Sequence, residues 1–366
     1  MNPIYKHTLL LTFTLSAASA QLISDCCGSE TTSGRPDGHA SISIMGDHTH
    51  NKGSWMLSFR SMYMEMEGLR SGTDRLTSAE AFTSDGGYTV VPTEMTMQMQ
   101  MLGLMYAPSD SITLMLMANY LQIEMDHQIN PNAAPLIAAN GGSDEFTTES
   151  SGLGDIQLVA LFDLYEKENR KLHAGLGLSL PTGAIDEQDA TPLAGMPPTF
   201  AVQQLPAAMQ LGSGTFDLLP SLTYRAAFEK WSYGAQAKAT LRLEDENSQG
   251  YRLGHRFELT GWTSCNLNEW VALNSGLSYQ NTGKLKGTQE DISQIGPAGR
   301  SVTTTFNDNY GGERVDAILG LNFIAQSGCF KGHRLGLDLR LPIWQDLNGV
   351  QLETDLVATI GWQKAF

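Results

Sequence analysis

Hydrophobic and polar residues alternate along most of the chain, from residue 53 to the last residue. Alternation with a period of two is typical of β-strands whose two faces meet different surroundings. In the segment 231–244, for example, Trp, Tyr, Ala and Leu alternate with Ser, Gly, Gln, Lys, Thr, Arg and Glu. The pattern predicts about twelve strands. They lie near residues 53–66, 93–106, 111–126, 151–165, 171–181, 212–228, 231–244, 251–264, 269–281, 311–325, 333–344 and 350–366.

The predicted connections alternate between short and long. Short ones, such as 107–110 and 229–230, alternate with longer ones, such as 127–150 and 182–211. Short periplasmic turns and longer extracellular loops are typical of bacterial membrane barrels. No other part of the chain is left to cover the apolar strand faces, so we expect them to face lipid. The sequence thus predicts an all-β fold: a single transmembrane antiparallel β-barrel with both termini in the periplasm.

Aromatic residues and the C-terminus agree with a barrel. The predicted strand ends beside the short turns carry Trp55, Tyr106, Tyr165, Trp231, Trp270 and Phe323, and those nearer the long loops carry Tyr63, Tyr120, Tyr251, Tyr279 and Trp344. Two aromatic belts mark the two membrane interfaces of a barrel. A final alternating strand ending on Phe366 resembles the signal that outer-membrane assembly machinery recognises, although Lys364 departs from its usual apolar pattern.

The N-terminus indicates export. A basic start, an apolar run and Ala18-Ser19-Ala20 are typical of a secretory signal peptide, predicted to be residues 1–20. We assign 21–52 to a periplasmic N-terminal segment that could plug the barrel, and 53–366 to the barrel itself. The net charge of −16 excludes nucleic acid as a partner, since no basic stripe is present. We expect a Gram-negative outer membrane, with lipid and lipopolysaccharide as surroundings.

Several motifs resemble a family of outer-membrane barrels named for the meta-pathway of phenol degradation. They are Gly46-Asp47-His48-Thr49-His50, Pro92-Thr93-Glu94-Met95-Thr96-Met97, Met105-Tyr106-Ala107-Pro108-Ser109-Asp110, Ser151-Gly152-Leu153-Gly154-Asp155, Leu180-Pro181-Thr182-Gly183 and Leu211-Gly212-Ser213-Gly214. The resemblance covers nearly all of the mature chain. It implies a barrel and the passage of solutes, without fixing a phenolic substrate.

The strand pattern turns a set of charged residues toward the lumen. The predicted lumen and solute path comprises Arg60, Lys238, Arg242, Arg252, Arg256, Arg314, Arg334, Arg340, Asp155, Asp217, Glu258 and Asp338. A ladder of Arg opposite carboxylates can bind anions. The same charges could instead pair across a narrow interior and hold the barrel shut. Both interpretations stay open at this point.

The N-terminal third is rich in possible metal ligands. Asp47, His48 and His50 could bind Cu(II), Zn(II) or Ni(II), and Met62, Met64 and Met66, on the face of Arg60, could bind Cu(I). The alternatives are a polar cap and Met as an apolar filler. We expect Met95, Met97, Met99 and Met101 to face lipid, because polar residues alternate with them. No cofactor is required; copper is the one candidate.

Four cysteines lie on the periplasmic side of the predicted barrel. In an oxidising compartment we expect a disulfide between Cys265 and Cys329, which lie in neighbouring short turns. A bond between Cys26 and Cys27 is disfavoured by strain, and a Cys/His metal site is the alternative. No nucleophile–base pair is evident, so we expect no enzyme.

These observations favour a porin-like transporter for the passive passage of small anionic or aromatic solutes. The alternative function is a copper-binding outer-membrane protein that uses the His- and Met-rich N-terminal third.

Overall fold

Long β-strands dominate the computed structural model, which describes residues 34–84, 87–194 and 197–366. The long elements are β1 (Trp55–Gly72), β2 (Tyr88–Ser109), β3 (Ile112–Ile129), β4 (Glu145–Leu153), β5 (Ile156–Lys167), β6 (Arg170–Leu180), β7 (Asp217–Ala227), β8 (Trp231–Arg242), β9 (Arg256–Asn266), β10 (Val271–Thr282), β11 (Gly312–Ile324) and β12 (His333–Ala365). The predicted signal peptide, Cys26 and Cys27 lie outside the described residues.

Short elements occupy the connections. The short strands are Asp74–Leu76, Gln188–Leu193, Thr199–Gln204, Tyr251–Arg252, Lys286–Gly287, Ile295–Gly296 and Gly299–Val302. The α-helices are Ser78–Ala81 and Ala134–Ala139, and the 3-10 turns are Pro36–Gly38, Ala207–Met209, Thr303–Thr305, Asn307–Asn309 and Gly328–Phe330. In the described parts of the chain, every helix is too short or too polar to cross a membrane.

The strands form a closed antiparallel barrel. Eleven elements complete the ring, from β1 through β2, β3 and β5 to β12, which pairs back onto β1. β4 continues the line of β5 along β3. The ends meet where Trp55 and Phe366 exchange two backbone hydrogen bonds, of 2.8 and 3.1 Å. Closure leaves no free sheet edge, as a sheet in lipid requires. The predicted all-β barrel is confirmed.

The last element, β12, is a hairpin. Its 33 residues would extend roughly 110 Å as one strand, several times the thickness of a bilayer core. Its first part, Arg334–Leu347, pairs with β11, and its second part, Leu347–Ala365, pairs with β1. Gly349, with φ of +60°, lies at the reversal, and a Cβ there would lie 2.1 Å from Asn309 Oδ1. The two parts of β12 therefore count as two strands of the barrel wall. With them the barrel has the predicted twelve strands.

The outer face carries an apolar band between two groups of aromatic residues. Leu319 and Leu339 lie opposite each other on neighbouring strands, and both are about half exposed. Near the short turns, Trp55 stacks on Tyr106 with ring centres 4.3 Å apart, and Tyr279 and Trp344 are exposed nearer the loops. This is the outer surface that a lipid bilayer requires. Tyr251 is the exception to the predicted belts, because it is buried in a loop.

Above this band, toward the loops, the inner face of β1, β2 and β3 becomes apolar and the outer face becomes polar. These strands have 18, 22 and 18 residues, whereas about 9–11 residues cross the bilayer core. At the loop end Met64 lies opposite Met97, on the inner face, while Gln98 is exposed on the outer face. The prediction that the Met95–Met101 series faces lipid is therefore wrong, since the outer surface there meets water.

The inner methionines form an apolar wall at the loop end of the barrel. Met95, Leu121 and Met125 pack in one buried cluster with Met209 and Leu211 of the connection between β6 and β7. An apolar core thus covers the inner face of these strands at the loop end, and the polar lumen residues lie on other strands or nearer the short turns.

Candidate functional site

The residues preceding β1 lie inside the barrel. The plug segment, as we call residues 34–54, makes hydrogen bonds to inward side chains around the ring. Examples are Arg60 on β1, Thr113 on β3, Asp163 on β5 and Asn322 on β11. Only a chain within the lumen can reach strands on all sides of a closed barrel.

The inner wall binds the backbone carbonyls of the plug segment. Arg60 Nε donates to Ile42 O at 2.9 Å, Arg334 Nη2 donates to Ala40 O at 2.5 Å, and Arg225 donates to Gly38 O. Irregular backbone has no ladder of its own, so its buried carbonyls need such donors. These guanidinium groups therefore hold a peptide segment in place.

Side chains of the plug segment also bind wall charges. Ser43 Oγ donates to Asp338 Oδ2 at 2.8 Å and lies 3.1 Å from Nε of Arg340. Four residues predicted to line a solute path thus contact the plug segment, namely Arg60, Arg334, Arg340 and Asp338. The alternation in the sequence predicted that these four side chains face the lumen. It did not predict that they bind the plug segment.

A second charged group lies on the inner wall toward the loop end, centred on Glu258. Lys238 Nζ lies 3.1 Å from its carboxylate, Arg340 Nη1 lies 3.1 Å away, and Arg256 Nη2 lies 3.5 Å away. The side chains of Lys238 and Arg256 are 35% and 45% exposed, whereas that of Glu258 is 3% exposed. Three cations share this carboxylate, which leaves net positive charge facing open space in the lumen.

Two further ion pairs, which include the predicted lumen residues Arg242, Asp217 and Arg314, flank this group. Arg242 forms an ion pair with Asp217 across β7 and β8. Arg314 Nε lies 2.9 Å from Asp316 Oδ1, and its Nη1 donates to Thr354 Oγ1 at 2.8 Å. Both pairs are largely buried. These two pairs agree with the second interpretation of the inner charges, in which the charges pair with one another and do not bind a solute.

Asp155 was predicted to line the solute path, but its carboxylate binds backbone. Oδ1 accepts from Gly183 N–H at 2.9 Å, and Oδ2 accepts from the N–H and hydroxyl of Ser213 at 2.9 and 2.7 Å. Its strand is interrupted after Leu153, which frees the side chain to receive the loop. Three of the motifs noted in the sequence therefore meet at one junction, where the long connection leaves and rejoins the wall.

Arg252 was also predicted to be on a luminal strand face. It lies instead in the short loop strand Tyr251–Arg252, which pairs with Lys286–Gly287. Its Nη1 approaches Glu244 O at 3.4 Å. The barrel strand begins later, at Arg256, because Gly254 and Gly283 pack backbone to backbone at its edge. Arg252 therefore belongs to the extracellular loops.

The plug segment brings its histidines together. Ligand atoms of His39, Asp47 and His48 all lie within 4.8 Å of one another. The rings of His48 and His50 have centres 4.9 Å apart. Burial lowers the pKa of His39 well below its usual value and that of His50 to about 3. Burial raises the pKa of Asp47, but the neighbouring His48 and His39 outweigh this and hold it well below its usual range.

The methionines proposed as metal ligands have a different setting. Met62, Met64 and Met66 share the inner face of β1 with Arg60, as predicted. Met66 packs against the apolar cluster at the loop end. This placement supports the interpretation of Met as an apolar filler.

The predicted disulfide is not formed. Cys265 and Cys329 are both free and exposed. Cys265 shares the outward face of β9 with Phe257 and Leu259, so its side chain points away from the barrel interior.

Several residues of the site were not predicted. Arg225, Gln236 and His173 bind carbonyls of Gly38, Met45 and Gly46, and His39 joins the histidine cluster. The alternation already placed the three wall residues on inner faces. Their partners are backbone atoms of a distant segment, which leave no trace in a strand pattern.

Comparison with known proteins agrees with this architecture. Residues 78–309 match the family described as "Putative MetA-pathway of phenol degradation". No protein of curated function matches the chain. Among solved structures, an outer membrane channel from Pseudomonas putida F1 is similar, with a TM-score of 0.57 and 15% identity over 89% of this chain and 100% of that chain. A Pseudomonas aeruginosa FadL homologue has a TM-score of 0.44 and 11% identity, over 91% and 97% of the two chains.

Proposed function

Since the chain belongs to the family described as "Putative MetA-pathway of phenol degradation" and is a β-barrel of the bacterial outer membrane, we propose that it is a channel for small anionic solutes. The observation that carries the proposal is the group around Glu258. Lys238 and Arg256 expose their charged ends to the lumen, and the carboxylate that they share with Arg340 is buried. Basic residues that outnumber acids in a narrow passage favour anions.

The distribution of charge supports this direction of selectivity despite the net charge of −16. Glu65, Glu124 and Asp126 lie outside the barrel near the loop end, since they alternate with the inward methionines and aliphatic residues. They face solvent and not the permeation path. These outer carboxylates and the exposed cations around Glu258 are therefore on opposite sides of the barrel wall.

The plug segment makes the channel a gated one. It occupies the lumen near the short turns, so solute passage requires it to move or to leave a path beside it. Arg60, Arg225 and Arg334 hold its carbonyls, and each contact is polar. Polar contacts exchange with water at a small net free-energy change, about 0.5–1.5 kcal/mol for each. Such a segment can be displaced in steps.

Planar bilayer recording of the purified full-length protein tests the proposal. In a KCl gradient we expect the reversal potential to show anion preference, and we expect added benzoate or acetate to reduce the chloride current. Lys238→Ala with Arg256→Ala should remove the preference. Arg75→Ala is the matched control, because its side chain is 74% exposed and pairs with Glu353 on the outer face. Cation preference of the wild type, or preference unchanged in the double variant, would contradict the proposal.

A further inference from the structure

The histidines of the plug segment form a compact buried group. The ring centres of His39 and His48 are 4.5 Å apart, and those of His48 and His50 are 4.9 Å apart. All three residues and Asp47 are buried, with at most 9% of their surface exposed. His39 lies at the start of residues 39–50 of the plug segment, and Asp47, His48 and His50 lie at their end.

Hydrogen bonding fixes the orientation of the central members. His48 Nδ1 lies 2.6 Å from Asp47 Oδ1, and Asp47 Oδ2 accepts from Ala40 N–H at 2.9 Å. An ionised carboxylate can only accept, so His48 Nδ1 is the donor in this contact, and His48 Nε2 is left outside it. A carboxylate that binds the far nitrogen of an imidazole in this way is the usual support of a metal-ligating histidine.

Three imidazole nitrogens of the group have no hydrogen-bond partner. They are His39 Nδ1, His48 Nε2 and His50 Nε2. Leaving a buried polar atom unpaired is energetically unfavourable. Three such atoms in neighbouring side chains call for a ligand that accepts lone pairs, and a metal cation is such a ligand.

We propose that His39, His48 and His50 form a binding site for a divalent transition-metal ion of the zinc class, with Asp47 as the carboxylate that orients His48. Imidazole nitrogen is a ligand that Zn²⁺ takes in tetrahedral sites, at about 2.0–2.1 Å. The ligand atoms of His39, Asp47 and His48 already lie within 4.8 Å of one another. The ring of His48 contacts those of both His39 and His50, so the three imidazoles are close enough to converge on one ion.

The surroundings bear on the affinity of the site. Arg225 and Arg334 approach the group, and their charges disfavour a cation there. Their donors are directed to the carbonyls of Gly38 and Ala40, so they hold the backbone around the site. Asp47 supplies the compensating negative charge.

The site ties together the two ends of the segment 39–50. A bound ion therefore stabilises the plug segment in its docked form, in addition to the wall contacts. This inference does not depend on which solute the barrel passes.

Metal titration of the folded full-length protein, stripped with EDTA and held in detergent, tests the proposal. We expect Zn²⁺ to bind and to displace Co²⁺, and Co²⁺ to give the intense visible absorption of four-coordinate cobalt with imidazole ligands. The double variant His39→Ala, His48→Ala should lose this spectrum, and Asp47→Asn should weaken binding about 10–100-fold. His127→Ala is the control, since His127 is a buried histidine on β3 outside the group.

Wild-type protein that binds neither ion would overturn the proposal, as would a double variant that binds Zn²⁺ as tightly as the wild type. Binding of Cu²⁺ without Zn²⁺ or Co²⁺ would contradict the zinc class. If the double variant does not fold, the Co²⁺ spectrum of the wild type decides, because a six-coordinate spectrum or one without nitrogen ligands excludes this site.

Discussion

The carboxylate of Asp155 accepts a hydrogen bond of 2.9 Å from the backbone N–H of Gly183. The same carboxylate binds Ser213, so one side chain joins the exit and the return of the long connection between β6 and β7. Close approach completes the junction, because a Cβ on Gly212 would lie 2.4 Å from Gly183 O. Gly-Leu-Gly-Asp, Leu-Pro-Thr-Gly and Leu-Gly-Ser-Gly therefore form one structural unit.

Asp155→Ala should release this connection while the barrel stays closed. Unpaired backbone donors at the junction cost about 1–3 kcal/mol, so we expect faster proteolysis within 182–211 and a lower melting temperature. Asp186→Ala is the control, as Asp186 is an exposed carboxylate of the same connection. Equal cleavage rates in the two variants would show that Asp155 does not hold the junction.

Glu258→Gln should make the channel more selective for anions. The substitution removes the carboxylate shared by Lys238, Arg256 and Arg340, and so leaves their charge uncompensated in the lumen. We expect the reversal potential in a KCl gradient to shift further toward that of chloride. Glu353→Gln, which removes an ion-paired carboxylate from the outer face, should leave it unchanged. A shift toward potassium would argue against the charge assignment.

Locking the plug segment to the wall should close the channel. Ser43 and Asp338 are in hydrogen-bond contact at 2.8 Å, so Ser43→Cys with Asp338→Cys, in a chain whose native cysteines are replaced by Ser, can be bridged by a short linker that forms a disulfide with each thiol. We expect conductance to fall on cross-linking and to return with a reductant. Either single variant is the control. Mass spectrometry verifies the cross-link. If the conductance of the cross-linked protein equals that of the reduced protein, the plug segment does not gate the channel.

Leu339→Arg should lower the free energy of unfolding by about 2–4 kcal/mol, because an Arg on the lipid face at mid-membrane is costly. Leu339 faces outward opposite Leu319 in the apolar band. Gln98→Arg should have little effect, since the outer face of β2 at that level meets water. Denaturant titration in lipid vesicles measures both. Equal losses would place Gln98 within the membrane and contradict the assigned height of the band.

The alternation by itself determined the barrel. Each strand must turn one face to lipid and one inward, so the strand number, the order of turns and the inner placement of Arg242, Glu258 and Arg334 follow from local pattern. It also placed Met62, Met64 and Met66 correctly. It failed on the Met95–Met101 series. Apolar residues face outward only where the strand crosses the lipid, and the position of a residue relative to the membrane cannot be read from its immediate sequence.

Only the tertiary structure decided what the inner residues contact. The plug segment lies in the lumen but has no strand pattern of its own. Its carbonyls accept hydrogen bonds from Arg60, Arg225 and Arg334. Asp155 lies near a strand break and serves a loop. His39 joins His48 although eight residues of irregular chain separate them. Period and spacing report which face a side chain occupies, whereas its partner depends on where distant backbone is packed.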